Sequence, residues 1–365
     1  MISPRFQSRS RVMMFAPHPD DESLATGVLL QRAVNAGAEV RVVYATDGER
    51  NCWPQRVLEG KVWLRDIDRR RWGARRRAEA LAALQVLGIE PARVFFLGLP
   101  DQGLTDMLLQ GRDEVFLRIV EAIRLWDPTH LLLPSAADTH PDHSALAVLL
   151  EFALQNYLPG SRPVVRLHYL VHGRSEAFAR GAFELAGSAL EQKAKLRAIR
   201  CHFTQIALSR KRFLSYAQRP ERFIVGERDV APGCDGPIQS SLRDRDQLRL
   251  DVAFTLKPLR ADGASLYLLG YENATELRRL RTVLPGRSAR IDLIDCDSGA
   301  IVGVGRYHGD AFSGEILLPL RGFDSDRDLF VKLDRRVWFF DEVGWMQIAA
   351  PVPQEAAVSA ELAVA

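Results

Sequence analysis

The chain has 365 residues, of which 47% are hydrophobic and 26% charged, and its formal net charge is +3. This length suffices for a large core and for two domains, and the composition is that of an ordinary globular protein. The small net charge gives no reason to expect a nucleic-acid partner. We expect a cytoplasmic location, because the sequence shows neither a signal-like apolar region before the first strand nor a run of transmembrane length. Its four scattered cysteines lack CxxC spacing and predict reduced thiols.

Apolar strands alternate with loops and helices from residue 10 to about residue 135. This alternation predicts a mostly parallel sheet covered by helices, a Rossmann-like three-layer α/β sandwich. No GxGxxG sequence follows the first strand, so a dinucleotide is not expected. The predicted elements are a strand ending near Ala16, a helix to about Ala36, a strand over 40–45, a loop over 48–72, a helix over 74–87, a strand over 94–97, a helix over 114–126 and a strand over 131–133.

Two polar clusters follow predicted strands. The first is the stretch 16–22, Ala-Pro-His-Pro-Asp-Asp-Glu, after the apolar run 12–15, and the second is His-Pro-Asp-His over 140–143, after the apolar run 131–134. In an open α/β sheet such strand-to-helix turns lie where ligands bind. A histidine and a carboxylate from one turn with a histidine from another make a three-ligand site with an open position, as in catalytic zinc centres.

These two motifs, in this order and context, resemble those of the PIG-L (LmbE-like) N-deacetylase family. The resemblance covers roughly residues 10–225 and implies a zinc-dependent N-deacetylase. Carried over by motif, the metal ligands are His18, Asp21 and His143. These three ligands leave one position for water.

The resemblance also implies catalytic roles for three neighbouring residues. Asp20 is expected to be the general base, and His140 to stabilise the oxyanion or protonate the leaving amine. Asp142 is expected to fix the tautomer of His140 and raise its basicity, or to cap a helix. Some family members carry Tyr two residues before the first histidine of the second motif, where this chain has Asp138.

Further positions are candidates with two interpretations each. Arg76 and Asp101 match substrate-binding residues of the family, although a helix-surface ion pair and a turn former are equally good readings. His168 and His172 are expected to be packing or surface residues, and a structural role is expected for the segment around Lys195 and His202. Trp53, Trp63 and Trp72, in or beside the 48–72 loop, either stack on a sugar or acyl group or simply pack.

The character of the sequence changes after residue 220. Short alternating apolar runs separated by Gly, Asp and Pro predict a smaller all-β sandwich. We therefore predict a deacetylase domain over 1–229, a linker over 230–244, a β-sandwich accessory domain over 245–350 without catalytic residues, and a frayed tail over 351–365.

The sequence thus predicts a Zn²⁺-dependent hydrolase that removes the N-acetyl group from an N-acetylglucosamine-type sugar or glycoconjugate. Two alternatives stay open: an amidase acting on a non-acetyl amide, such as a thiol-sugar conjugate or an acylated aminosugar, and a decayed carbohydrate-binding protein. The expected partner is a small-molecule substrate, with homo-oligomer formation left open.

Overall fold

The computed structural model describes residues 4–111, 113–157, 164–173, 176–226, 236–254, 263–273, 276–334, 336–337 and 339–351. The chain divides into two compact units, one formed by Met1–Leu108 with Arg112–Asp229 and the other by Leu109–Gly111 with Val230–Ala365. Residues 230–235 of the predicted linker and 352–365 of the predicted tail lie outside the described residues. No helix in the described part of the chain is long and apolar enough to cross a membrane.

The first unit is built on a seven-stranded sheet with strand order β3-β2-β1-β4-β5-β7-β6. The first five strands in that order are parallel, and β7 pairs antiparallel with both β5 and β6. The mostly parallel α/β sheet is therefore confirmed, while a helical layer on each face stays a prediction. The strands are β1 (Arg11–Ala16), β2 (Glu39–Thr46), β3 (Val94–Leu99), β4 (His130–Pro134), β5 (Val165–Tyr169), β6 (Phe183–Leu185) and β7 (Glu221–Val225).

Ten α-helices of the described residues connect or follow these strands. Apolar side chains of β1, β2 and β5 form a buried core with helices from the first half of the unit and with residues between 196 and 217. The helices are α1 (Asp21–Ala25), α2 (Gly27–Asn35), α3 (Cys52–Glu59), α4 (Asp66–Val86), α5 (Leu104–Leu109), α6 (Asp113–Trp126), α7 (Pro141–Tyr157), α8 (Glu176–Gly181), α9 (Ala189–Cys201) and α10 (Phe203–Ser215), with a 3₁₀ turn at Pro91–Arg93.

The predicted 48–72 loop is wrong over much of its length, because it contains α3 and the start of α4. Helix α3 ends at Gly60, whose φ of 62° suits a left-handed cap. Helix α4 passes through Gly73, where an added Cβ would lie 3.0 Å from Cβ of Asp47. Glycine normally weakens a helix, and here it permits the close approach to the turn after β2. That contact is tertiary, so the local sequence did not reveal it.

The second unit contains one nine-stranded sheet in the order β18-β15-β10-β11-β12-β13-β14-β9-β8, and every pairing given for it is antiparallel. A short ribbon pairs β16 with β17. The strands are β8 (Ile238–Arg243), β9 (Gln247–Ala253), β10 (Ser265–Tyr271), β11 (Leu277–Val283), β12 (Ala289–Asp295), β13 (Ile301–Gly309), β14 (Ser313–Pro319), β15 (Leu329–Asp334), β16 (Arg336–Val337), β17 (Phe340–Asp341) and β18 (Met346–Ile348).

Two sequence predictions change here. Residues 238–243, assigned to the linker, form the edge strand β8 paired with β9. The predicted sandwich is a single curved sheet: Arg243 at the end of β8 donates to the carbonyl oxygens of Arg327 at 2.7 Å and of Ile348, in the opposite edge strand, at 3.4 Å. Alternating residues fix which side of each strand is buried, but not how the strands associate into one sheet or two.

Candidate functional site

The site lies at the carboxyl ends of the parallel strands of the first sheet, at the point where the strand order reverses. Strands β2 and β3 lie on one side of β1, and β4 and β5 on the other. In doubly wound sheets the carboxyl ends of the strands at this switch point form a ligand-binding crevice. The two polar motifs follow β1 and β4, which pair with each other. The fold therefore brings the two motifs together.

The turn after β1 is held by its own carboxylates. The main-chain N–H of His18 donates to Oδ2 of Asp21 at 3.0 Å, and that of Asp20 donates to Oε2 of Glu22 at 3.0 Å. Asp20 has a φ of 140°, a conformation that is strained for an L-residue and is typical of functional sites. Glu22 in turn bonds Nε2 of the buried His202 at 2.7 Å. The contact between Glu22 and His202 therefore supports the strained turn, which agrees with the structural role predicted for His202.

The three predicted ligands converge on one point. His18 Nδ1 lies 3.2 Å from His143 Nε2 and 3.6 Å from Asp21 Oδ2, and His143 Nε2 lies 3.3 Å from Asp21 Oδ2. Tetrahedral zinc with bonds of about 2.1 Å places neighbouring ligand atoms about 3.4 Å apart. The three side chains are buried. Both the donor set and its spacing therefore fit a zinc ion.

Carboxylates fix the ring nitrogens that face away from this point. His143 Nδ1 lies 3.1 Å from Asp138 Oδ2, while His18 Nε2 lies 3.1 Å from Asp101 Oδ1 and 3.3 Å from Asp142 Oδ2. Metal-binding histidines commonly donate their second N–H to such a group, which sets the tautomer and the ring orientation. The arrangement leaves the lone pairs of His18 Nδ1 and His143 Nε2 directed toward Asp21.

The adjacent carboxylates Asp20 and Asp21 lie in opposite electrostatic environments. Burial raises the pKa of Asp20 to about 7; the Arg76 charge opposes this rise and the Asp21 charge adds to it. Burial would also raise the pKa of Asp21, but the neighbouring His143 and His18 lower it below its usual range. Such divergence separates an ionised ligand from a carboxylate suited to proton transfer.

The neutral tautomer of His140 is set by the main chain. The N–H of Asp142 donates to His140 Nδ1 at 3.2 Å, which leaves the proton on Nε2. Burial, with the nearby charges of His18 and His143, holds the pKa of His140 well below its usual range. Burial and these charges therefore oppose the rise in the His140 pKa that is expected from Asp142. A neutral imidazole with Nε2–H suits donation to an oxyanion.

Asp142 contacts this histidine through its main-chain N–H. The carboxylate accepts from the main-chain N–H of Gln102 at 2.6 Å and of Leu104 at 3.1 Å, and it also faces His18. It thereby ties the start of α7 to the loop after β3. The Asp142 carboxylate therefore also orients His18, and its predicted action on His140 stays a prediction.

Arg76 and Asp101 are buried and engaged within the protein. Arg76 donates to the carbonyl oxygens of Pro19 at 2.7 Å and Gly48 at 2.8 Å, and its Nη2 lies 3.5 Å from Asp20 Oδ2. Asp101 accepts from the main-chain N–H of Arg50 at 2.7 Å through the oxygen that does not face His18. Both residues therefore support the turns of the site, and their predicted contact with substrate stays a prediction.

Two residues to which the sequence analysis gave no role in metal binding lie at the site. Asp138 is fully buried and accepts from the main-chain N–H groups of Val171 at 3.0 Å and His172 at 3.1 Å, besides facing His143. His172 follows β5, and its ring centroid lies 5.0 Å from that of His143. Among the described residues, the ligand atoms of Asp21, His143 and His172 lie within 4.8 Å of one another. An acidic residue after β4 and a histidine after β5 were the available signals.

The fold and the site define a doubly wound α/β protein with a buried His/Asp cluster of metal-binding composition at the switch point of its sheet. Residues 13–154 match the model of the PIG-L family, described as GlcNAc-PI de-N-acetylase.

This chain matches curated relatives over part of their length. A 1D-myo-inositol 2-acetamido-2-deoxy-alpha-D-glucopyranoside deacetylase of Rhodococcus erythropolis is 30% identical over 152 residues, which are 37% of this chain and 50% of the relative. A second such deacetylase, of Saccharopolyspora erythraea, is 33% identical over 164 residues, 39% of this chain and 55% of the relative. The chain thus spans about half the length of these relatives. The solved N,N'-diacetylchitobiose deacetylase of Pyrococcus horikoshii is 21% identical, with a TM-score of 0.46 over 60% of this chain and 84% of that chain.

Proposed function

We propose that the protein is a zinc-dependent hydrolase that removes the N-acetyl group from an N-acetylglucosamine-type sugar or glycoconjugate. The observation that carries this proposal is the convergence of His18 Nδ1, Asp21 Oδ2 and His143 Nε2 within 3.6 Å of one another, directly beside Asp20. The match of residues 13–154 to the PIG-L family model, and the names of the curated deacetylases, support acetamide hydrolysis on an aminosugar.

Zn²⁺ would be held by His18, Asp21 and His143, and when bound it supplies Lewis acidity that brings the pKa of water from 15.7 to about 7. The chain's own groups supply the proton transfers. Asp20 accepts the proton of the attacking water, and Arg76 of α4 holds the Asp20 carboxylate in place. In the overall reaction a C–O bond forms and the C–N bond breaks, giving acetate and a free amine.

His140 is assigned to the developing negative charge on the acyl oxygen. Its Nδ1 accepts the main-chain N–H of Asp142, so the ring proton lies on Nε2, from which it can be donated to the oxyanion. Because Asp138 stands where some family members have tyrosine, no tyrosine hydroxyl is available from that position for the oxyanion. We therefore assign oxyanion stabilisation to the His140 side chain. The proton that Asp20 takes from water then passes to the leaving amine.

A cavity beside the site is our candidate for the part of the substrate beyond the sugar. A cavity of about 440 Å³ opens at the carboxyl ends of β2 and β3, and its lining includes Asp47, Glu49 and Arg77. Glu49 accepts from the main-chain N–H of Asp101 at 3.0 Å, which connects the cavity to the His18 side of the site. We assign this polar cavity to the hydroxyl-rich portion of a glycoconjugate.

The test is a panel of N-acetyl sugars assayed for amine and acetate release by protein with measured zinc content. Amine release in step with bound zinc is expected. Zinc-loaded protein that cleaves no N-acetyl sugar would contradict the proposal, and cleavage of other acyl amides by the same protein would establish the amidase alternative.

A further inference from the structure

Three arginines surround one tryptophan at the amino end of the first sheet, and we call them the arginine cluster. The tryptophan is Trp126, the last residue of α6. The guanidinium carbon lies 4.5 Å from its ring centroid for Arg11, 3.9 Å for Arg41 and 5.3 Å for Arg93. Arg11 is the first residue of β1, whereas the turn that carries His18 follows the last. The cluster is therefore separate from the candidate metal centre.

The strand register places the cluster on one face of the sheet. Arg41 pairs with Met13 of β1, two residues after Arg11, and side chains two residues apart on a strand share a face. The Arg41 guanidinium also lies 4.4 Å from the ring centroid of Phe95, two residues after Arg93. An oxyanion that bonds a guanidinium group lies about 4 Å from its central carbon. Because the groups of Arg11 and Arg41 lie over one ring, a single oxyanion can bridge them.

The cluster contains buried donors that lack an acceptor. In the part of the chain that the structure describes, Nε of Arg11, Nε of Arg41 and Nε1 of Trp126 are buried without a hydrogen-bond partner. Buried N–H groups are nearly always paired, so three unpaired ones around one ring need an explanation. Among the described residues, Glu39 forms the ion pair of the cluster, 3.3 Å from Nη1 of Arg93. Three positive charges against one negative charge leave an excess of two.

Stacking fixes these guanidinium groups and leaves them within reach of a ligand. Arg11 and Arg41 are half-buried, and the side chain of Arg93 is 42% exposed. Burial, with the charges of Arg93 and Arg11, lowers the pKa of Arg41 from its ordinary value, so an anion would relieve an unfavourable arrangement. A planar guanidinium binds phosphate oxygens through two parallel N–H groups. A group that stacking has already fixed loses little freedom when it does so.

We propose that the arginine cluster binds a phosphate group, either as inorganic phosphate or as the phosphoryl group of a small metabolite. The two negative charges of phosphate match the excess charge of the cluster. This inference concerns a second site and does not rest on the proposed function. The alternative is that the arginines only pack on Trp126, and it predicts no ligand.

The test follows the indole N–H NMR signal of Trp126 in the full chain, with isotope-labelled tryptophan, during titration with inorganic phosphate at constant ionic strength. The chain has six tryptophans, and Trp126→Phe identifies the signal. We expect a saturable shift with phosphate and none with chloride. Arg41→Gln should raise the Kd at least about tenfold, and the more exposed Arg93→Gln about fivefold. Arg210→Gln, at an exposed arginine of α10, is the matched control and should leave the Kd unchanged.

Phosphate can also coordinate zinc, so the titration is repeated with His143→Ala. A response of Trp126 that persists in this variant supports binding at the cluster, and its loss would assign the phosphate to the metal centre and overturn the proposal. Titration with glucose 1-phosphate separates the two sources, because a Kd no weaker than that of inorganic phosphate indicates a metabolite and a much weaker one indicates free phosphate. A Trp126 signal that ignores millimolar phosphate, or the same Kd in Arg41→Gln as in the wild type, would also overturn the proposal.

Discussion

The two sheets of this protein place their polar residues in different ways. In the first unit, β1 to β5 are parallel, so the turns after β1, β3, β4 and β5 all lie at the same end of the strands. In the second unit neighbouring strands are antiparallel, and successive turns fall at opposite ends of the sheet. Side chains on turns therefore converge in the first unit and are dispersed in the second.

Both units bury charged groups, so burial alone does not mark the site. In the second unit Lys332 and Asp341 form a buried ion pair, with the Lys332 ammonium 5.5 Å from the Trp345 ring. In the first unit buried carboxylates and imidazoles from four turns surround one point. The comparison indicates that convergence of donors, rather than buried charge as such, distinguishes a reactive centre from structural polarity.

Loss of a metal ligand should give the largest effect. His143→Ala removes one of three protein ligands, so bound zinc should fall from about one equivalent per chain to near zero, and hydrolysis should fall to background. Metal analysis and the amine assay measure both. His308→Ala, in the dispersed second unit, should change neither. Wild-type zinc content in His143→Ala would contradict the ligand assignment.

The next effect separates the two adjacent carboxylates. Asp20→Asn should keep its zinc yet lose about 10²- to 10⁴-fold in kcat, because the amide cannot accept the proton of the attacking water. Asp21→Asn should lose the metal itself. If both variants lost zinc equally, the division between base and ligand would be wrong.

A smaller effect is expected when the carboxylate that orients a metal-binding histidine is changed. Asp138→Asn weakens the partner of His143 Nδ1, and zinc affinity should fall about 10- to 100-fold. Competition with a chelator measures it, and Asp106→Asn on α5 provides a matched exposed control. An unchanged affinity in a folded Asp138→Asn variant would show that the carboxylate only supports the main chain of the turn.

The smallest effect on catalysis should follow a change in the second unit. Lys332→Met removes the ammonium that pairs with the buried Asp341 carboxylate, and breaking a buried ion pair typically costs about 3–5 kcal/mol in the free energy of unfolding. Thermal unfolding should shift to lower temperature, whereas kcat per bound zinc should stay unchanged. The double variant Lys332→Met/Asp341→Leu should recover part of the lost stability. A fall in kcat per bound zinc would show that this unit contributes to the reaction.

The sequence alone determined the class of the first unit and the three candidate ligands. The alternation of apolar runs fixed the parallel sheet, and short motifs directly after β1 and β4 carried His18, Asp21 and His143. Both signals are local, because strand period and turn composition are properties of a few consecutive residues. The position of the antiparallel region was predictable for the same reason.

Only the tertiary structure decided which groups orient the ligands. Asp101, Asp138 and Asp142 approach the histidines across turns that are distant in the chain. The tertiary structure also directs Arg76 to the carbonyl oxygen of Pro19, directly before Asp20. It joins the strands of the second unit into one curved sheet. A carboxylate or guanidinium has the same local signature whether it meets solvent, substrate or a buried histidine. Its role therefore depends on contacts that strand order and helix packing create.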